Sequence, residues 1–255
     1  MNIIAIVPAR MGSSRFPGKP LADIHGVPMV GHVALRTAMC SKLTATYIAT
    51  CDQVIMDYAA SRGIPAVMTA DTHEHCSDRT AEALLKIERE LGLTADIVVM
   101  VQGDEPMVTP GMIEAAVSPM LEDPTLEVVN LMGDLADEQE FEDPAEVKVV
   151  TDPKGNALYF SREPIPSRKK VGTPVPMKKQ VCIIPFRRDY LLTFNSLPES
   201  PLEHIESIDM LRVLENGGTV RMVPITERNL SVDTPEDLRR VRELMRDDPL
   251  IKDYA

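Results

Sequence analysis

With 255 residues, 44% of them hydrophobic, the chain can bury a substantial core in one large domain or in a domain with an added lobe. Its 27 basic and 39 acidic residues leave a formal charge of −12, which disfavours general electrostatic binding to nucleic acid or to an anionic membrane surface. Any phosphate site must therefore be local.

The N-terminal IIAIVPA reads as a strand with no basic segment or cleavage site before it, and no apolar run reaches the ~18–20 residues of a membrane span. A cytoplasmic location follows as an expectation. Short β-rich runs and amphipathic stretches then alternate: Asn2 to Val7, Met29 to Met39, Ala45 to Thr50, Val54 to Ser61, Ala66 to Thr69, Arg79 to Leu91 and Ile97 to Val101. That rhythm predicts βαβ units and a mostly parallel sheet. IIAIV and IVVMV are apolar without a gap, as expected of central strands covered on both faces. After Pro110 the pattern becomes mixed. Strands are expected at Val128 to Met132, Val147 to Val150, Ala157 to Phe160, Val181 to Phe186 and Thr219 to Val223, with Pro- and Lys-rich loops between Pro164 and Lys179. Helices are expected at Pro201 to Leu214 and Pro235 to Met245, each with Pro in its first turn and Glu close behind. The fold class is α/β, Rossmann-like, with one domain over residues 1–255 in which roughly 125–200 extends the sheet and builds a smaller mixed-β lobe, as a lid or a dimer-forming element. Cys40, Cys51, Cys76 and Cys182 lie far apart with no CxxC, so free thiols are expected in place of a disulfide framework or a zinc site.

In an open α/β sheet, ligands bind beyond the carboxyl ends of the strands, so the loops after the two apolar strands come first. The first, PARMGSSRFPGKP, sets Arg10, Arg15 and Lys19 among two glycines and two serines. Small residues such as Ser13 let backbone amides approach phosphate oxygens, and three cations neutralise their charge, so this loop is a candidate polyphosphate cradle. It contains neither a Walker A nor a GxGxxG pattern. The second, VQGDEP, puts Asp104 at the end of a buried strand, where a carboxylate beside phosphates is placed to hold Mg²⁺. Far downstream, SVDTPED offers Asp233 at a strand-to-helix junction, as a helix cap, a metal ligand or both.

The segments IVPARMGSSRFPGKPLADIHGVPM, VQGDEPM, EVKVVTDPKGNALYFSREPIP, SPLEHIE with LRVLENG after it, and VDTPEDLRRV together resemble the 3-deoxy-manno-octulosonate (Kdo) cytidylyltransferases, in that family's order and across nearly the whole chain. The resemblance implies transfer of CMP from CTP to an acidic acceptor with release of pyrophosphate, Mg²⁺ as cofactor and a homodimer. It implies catalytic roles for Arg10, Lys19 and Asp104, and metal binding by Asp104 and Asp233. It puts the nucleotide on Ala9, Arg10, Ser13, Arg15, Lys19, Ser77 and Arg79, and the acceptor on Gln102, Arg162, Gln180, Glu203 and Glu206.

Two departures stand out. The family's SGT[ED]R segment is here His75-Cys76-Ser77-Asp78-Arg79, and its HLGxYxY is Gln180-Val181-Cys182-Ile183-Ile184-Pro185-Phe186. Loss of an imidazole and two phenols removes groups that pair with sugar hydroxyls, and Met210 stands where the family often has glutamine. A different anion is therefore an open alternative, such as a small phosphonate or a modified octulosonate or nonulosonate. Lys169, Lys170, Lys178 and Lys179 are candidates to supply charge for it. A non-catalytic nucleotide-binding module, and an enzyme for neutral sugar phosphates using UTP or GTP, are the competing functions.

Overall fold

The computed structural model describes residues 1–13, 15–169 and 175–254. Strand β1 (Ile3–Ala9) leads through the cradle loop to two short antiparallel strands, β2 (Asp23–Ile24) and β3 (Val27–Pro28), and to helix α1 (Met29–Ala38). Then follow β4 (Ala45–Thr50), α2 (Gln53–Ser61), β5 (Ala66–Met68), α3 (Cys76–Leu91), β6 (Ile97–Val101) and α4 (Pro110–Glu122). The second half supplies β7 (Val128–Asp134), α5 (Glu138–Glu142), β8 (Lys148–Thr151), β9 (Ala157–Ser161), β10 (Lys178–Val181), β11 (Ile183–Arg187), α6 (Arg188–Ser196), α7 (Pro201–Glu206), α8 (Met210–Glu215), β12 (Val220–Pro224) and α9 (Pro235–Leu244).

One ten-stranded sheet runs β5-β4-β1-β6-β11-β7-β10-β8-β9, with β12 parallel to β7. Its first four strands are parallel, as the alternating first half predicts. β1 and β6 are neighbours at its centre, and every residue of both is buried. In β1, Ile4 and Ile6 pack into one apolar layer while Ile3, Ala5 and Val7 pack into the other, so the uninterrupted hydrophobic run reflects helices on both faces. The antiparallel β11 then joins β6 in register from Ile183↔Val101 to Arg187↔Ile97. Residues 125–200 thus contribute strands to the same sheet, with β8 and β9 at its far edge.

Three expected elements differ in the structure. The run Val181 to Phe186 divides at Cys182 into β10, which pairs β7 and β8, and β11, which pairs β6 and β7. The expected single helix from Pro201 to Leu214 divides into α7 and α8, because Ser207 takes a left-handed conformation (φ 54°) that ends the first helix. Helix α3 starts at Cys76, three residues before the expected Arg79, so Ser77 and Arg79 both sit in its first turn.

Candidate active site

The cradle loop is folded by its own backbone. Gly18, at φ 79°, donates its N–H to the Met11 carbonyl (3.1 Å), and the Met11 N–H is held by the Asp52 carboxylate (2.7 Å). The turn that follows delivers Lys19 inward. Its Nζ donates to Asp104 Oδ2 at 2.7 Å, to the Val232 carbonyl at 2.9 Å and to Asp233 Oδ1 at 3.1 Å. Arg15 reaches the same Asp233 oxygen at 3.0 Å from an exposed position. Burial opposes the Lys19 charge, but the attraction and hydrogen bonds of Asp104 and Asp233 outweigh it and hold the ammonium above the usual lysine range.

Gly103 explains how Asp104 comes so close to β1. A Cβ there would lie 2.8 Å from the Pro8 carbonyl oxygen, so only glycine lets the β6 loop cross the end of β1. Asp233 is presented by the residue pair before α9, where Thr234 is the N-cap and forms a reciprocal capping box with Asp237. Cap duty therefore falls to Thr234, and the Asp233 carboxylate is left to face Lys19 and Arg15.

Two cavities meet at this junction. One, of about 370 Å³, is lined by the cradle: Ala9, Arg10, Ser13, Arg15 and Lys19 among others. The second, of about 350 Å³, runs toward β8, β10 and the α7–α8 corner and includes Arg162, Gln180 and Asp209. Arg15, Cys76, Gln102, Asp104 and Asp233 line both. Among the described residues, no cluster of three or more His, Cys, Asp or Glu side chains is arranged to hold a metal ion. Asp104 and Asp233, brought to one lysine, form an oxygen-only pair that suits a Mg²⁺ ion completing its coordination with substrate phosphates and water.

Residues 4–227 match the model of a family described as cytidylyltransferase. The chain belongs to that family. It is 44% identical over 254 residues to the 3-deoxy-manno-octulosonate cytidylyltransferase of Syntrophotalea carbinolica, covering 96% of this chain and 99% of the relative. The protein of the same name from Solibacter usitatus is 41% identical, covering 96% and 95%. A solved CMP:2-keto-3-deoxy-manno-octonic acid synthetase in complex with CTP superposes with a TM-score of 0.89 at 38% identity, over 97% of this chain and 100% of that one. A cytidylyltransferase structure from Leptospira borgpetersenii, at 16% identity and a TM-score of 0.64 over 96% of this chain and 87% of that one, shares the fold.

The remaining site residues fall into two groups. Arg10 is exposed at the mouth of the cradle, donating to the His73 carbonyl at 3.3 Å. Gln102 and Gln180 reach the second cavity; the Gln180 amide donates to Asn130 at 2.6 Å. Arg79 is buried, with Nη1 on Thr69 and the Ala70 carbonyl and Nη2 without a partner among the described residues, and it borders a small recess shared with Ala9 and Arg10. Ser77 is buried beneath the N-terminus of α3 and lines neither main cavity. Glu203 is fully buried and away from the cavity, both oxygens held by Arg212 at 2.6 and 2.7 Å, so a direct role on the acceptor is withdrawn. Glu206 is likewise occupied, accepting from Ser161 (2.8 Å), Tyr159 (3.2 Å) and the Arg162 N–H (2.8 Å). It builds the wall that carries Arg162. Arg162 does reach the cavity, although its guanidinium donates to the carbonyls of Pro144, Glu206 and Ser207.

Two of the four lysines expected to supply extra positive charge are committed elsewhere. Lys178 pairs with Asp134, and Lys179, buried, pairs with Glu146 at 3.0 Å; neither lines the second cavity. Lys169 is exposed, and Lys170 lies outside the described residues. Ile184 and Phe186, at the positions of the family's tyrosines, are fully buried core residues. Sequence reasoning passed over Glu105, Glu146, Cys182 and Asp209 as site residues, all of which line the second cavity. Glu105 was within reach, since it follows Asp104 directly. Its carboxyl accepts from the Cys182 N–H (3.2 Å) and from Asn229, and burial, followed by the Asp104 charge, pushes it up to about 7.

Proposed function

We propose that this chain transfers CMP from CTP to an acidic acceptor and releases pyrophosphate, with the triphosphate in the cradle cavity and the acceptor in the adjoining one. The observation that carries the reading is the junction: Lys19, Asp104 and Asp233 meet where the two cavities share their wall. An acceptor oxygen forms a bond to the α-phosphorus from one side while the bond to pyrophosphate breaks on the other, and the hydroxyl proton passes to solvent. Positioning and charge neutralisation supply most of the rate. Arg10, Arg15 and Lys19 hold the phosphates, with Ala9, Ser13 and the first turn of α3 bordering the nucleotide. A divalent ion held by Asp104 and Asp233 would neutralise phosphate charge and polarise the reacting phosphoryl group. Lys19, now bridging the two aspartates, is then free to turn to phosphate oxygens.

Gln102, Arg162 and Gln180 border the acceptor. Kdo is the sugar acid that the relatives' names point to; the altered strand at Gln180 to Phe186 keeps other acids, a small phosphonate included, within the proposal. The β9 edge of the lobe, where Leu158 is 62% exposed, supports pairing of two copies through that edge. No helix among the described residues is long and apolar enough to cross a membrane.

The test is pyrophosphate release with Mg²⁺ and each of CTP, UTP, GTP and ATP, with and without Kdo. Acceptor-dependent release specific to CTP is expected. Equal release from UTP or GTP with a neutral sugar phosphate, or CTP binding without transfer to any acid, would overturn the reading.

A further inference from the structure

Asn130 lies on β7, fully buried, and lines neither of the two cavities. It stands where the sheet changes partner, since β10 ends at Val181, paired with Leu131, and β11 begins at Ile183. Its Nδ2 donates to the Val181 carbonyl at 2.7 Å and to the Leu131 carbonyl at 3.0 Å. Carbonyl oxygens only accept, so the NH₂ end of the Asn130 side chain must face them and Oδ1 must point the other way. Oδ1 also only accepts. The Gln180 atom bonded to it at 2.6 Å is therefore the amide nitrogen, Nε2. Two backbone carbonyls thus decide, through one buried asparagine, which way round an amide stands at the cavity wall.

Gln180 lines the second cavity, and its backbone is held in place by its own N–H on the Val147 carbonyl at 2.8 Å. Among the described residues nothing donates to its Oε1, and that oxygen is not sealed from solvent. The one acceptor of the amide is left for a ligand. An ionised carboxylate has no proton to give it, whereas a hydroxyl has. Turned the other way, the same amide would offer NH₂ and select an oxygen of an acid or keto group in place of a hydroxyl. The neighbouring strand positions do not compete for this role, because Ile184 and Phe186 are buried and apolar.

We propose, building on the CMP-transfer reading, that Asn130 is a positioning residue that sets acceptor specificity: by holding Nε2 it fixes Gln180 Oε1 toward the second cavity, where it accepts a hydrogen bond from a hydroxyl of the acceptor distinct from its acid group. The acceptor class is then a hydroxy acid, and its deoxy counterpart leaves Oε1 unpaired. Asn130 touches neither the acceptor nor the reacting atoms and acts only through Gln180. The transfer step is unchanged.

The experiment reads kcat/KM from pyrophosphate release, with CTP and Mg²⁺, for two matched sets of acceptors: Kdo with each of its monodeoxy analogues, and 2-hydroxyethylphosphonate with ethylphosphonate. CTP affinity is followed separately by calorimetry. In the native chain, removal of one hydroxyl is expected to cost about tenfold or more, because an acceptor atom loses its partner. In Gln180→Met the same removal should cost less than about threefold, since the atom it served is gone. Asn130→Ala, which leaves room for water at the two carbonyls, and Asn130→Val, which does not, both release the amide. Each should shrink the deoxy penalty in the same way and keep CTP affinity within about threefold, and adding either to Gln180→Met should change kcat/KM for the hydroxy acid by less than about threefold, as expected of a residue that acts through one partner. A merely structural asparagine would lower the melting temperature and leave the deoxy penalty intact. A penalty that survives in Gln180→Met or in a folded Asn130 variant, or a native chain indifferent to every hydroxyl, overturns the proposal. Failure to bind CTP, or to release pyrophosphate with either hydroxy acid, instead overturns the CMP-transfer reading beneath it.

Discussion

Lys19 contacts three oxygens from two loops, one 85 and the other more than 200 residues further along the chain, so its single side chain fixes the distance between Asp104 and Asp233. Chemistry of this kind was legible in the residue types: three cations in a small-residue loop and two aspartates after strands. The sequence did not disclose which charges are already neutralised. Glu203 has the residue type of an acceptor ligand and is instead a buried partner of Arg212. Glu203→Ala should destabilise the fold by about 3–5 kcal/mol, because it strands a buried guanidinium. Measured below its lowered melting temperature, the variant should keep kcat/KM for the acceptor within about 3-fold, since a binding contact worth ~1.4 kcal/mol would already cost tenfold. The thiols give a second expectation. The thiolate is the reactive species, and a Cys76 thiol pushed up to about 12 is ionised to only about one part in ten thousand at pH 8. Raising the pH toward 12 increases that fraction, so native-state alkylation by iodoacetamide should leave Cys76 and Cys182 unlabelled at pH 8, read by peptide mass spectrometry, and label both after denaturation.

At the scale of elements, the period of the hydrophobic pattern was a reliable guide where both faces of a strand are covered, as in β1 and β6, and less so where a break has no Gly or Pro to mark it. Ser207 ends α7 in a left-handed conformation that few non-glycine residues adopt, so the run from Pro201 to Leu214 reads as one helix. α4 went unread after Pro110 because Pro119 lies within it and its composition is broadly apolar. Cys182 divides β10 from β11 without any turn residue, while the Gln102 N–H bonds to its carbonyl across the gap (3.0 Å). That break turns the altered strand toward the cavity at Gln180 and Cys182 and into the core at Ile184. The crossing of β1 and the β6 loop at Gly103 is the contact on which the geometry of Asp104 depends. Gly103→Ala drives a methyl into the Pro8 carbonyl and should cost about 1–3 kcal/mol by melting. It should also lower kcat at least tenfold through displaced Asp104, with CTP affinity changed less.

At the scale of the whole molecule, the site is a meeting of distant parts: the loop after β1, the loop after β6, the N-terminus of α3 and the segment before α9. Such a site is complete only in the folded chain, so CTP with Mg²⁺ must stabilise the native state by mass action, about 2.7 kcal/mol at a hundredfold excess over Kd. A rise in melting temperature larger with CTP and Mg²⁺ together than the sum of their separate effects is expected by differential scanning calorimetry. The net charge of −12 enters here, since Arg15 and Lys19 already answer two of the carboxylates and a triphosphate needs further cations. The most direct measurement is chromatographic and mass-spectrometric detection of the CMP–acceptor conjugate, from CTP and the acceptor panel with Mg²⁺, by the native chain and by Asp104→Asn. A conjugate formed one-for-one with pyrophosphate by the native chain, and at least a thousandfold more slowly by a folded Asp104→Asn, is the predicted result. Undiminished conjugate formation by Asp104→Asn, or none by the native chain with any acid, would contradict the account.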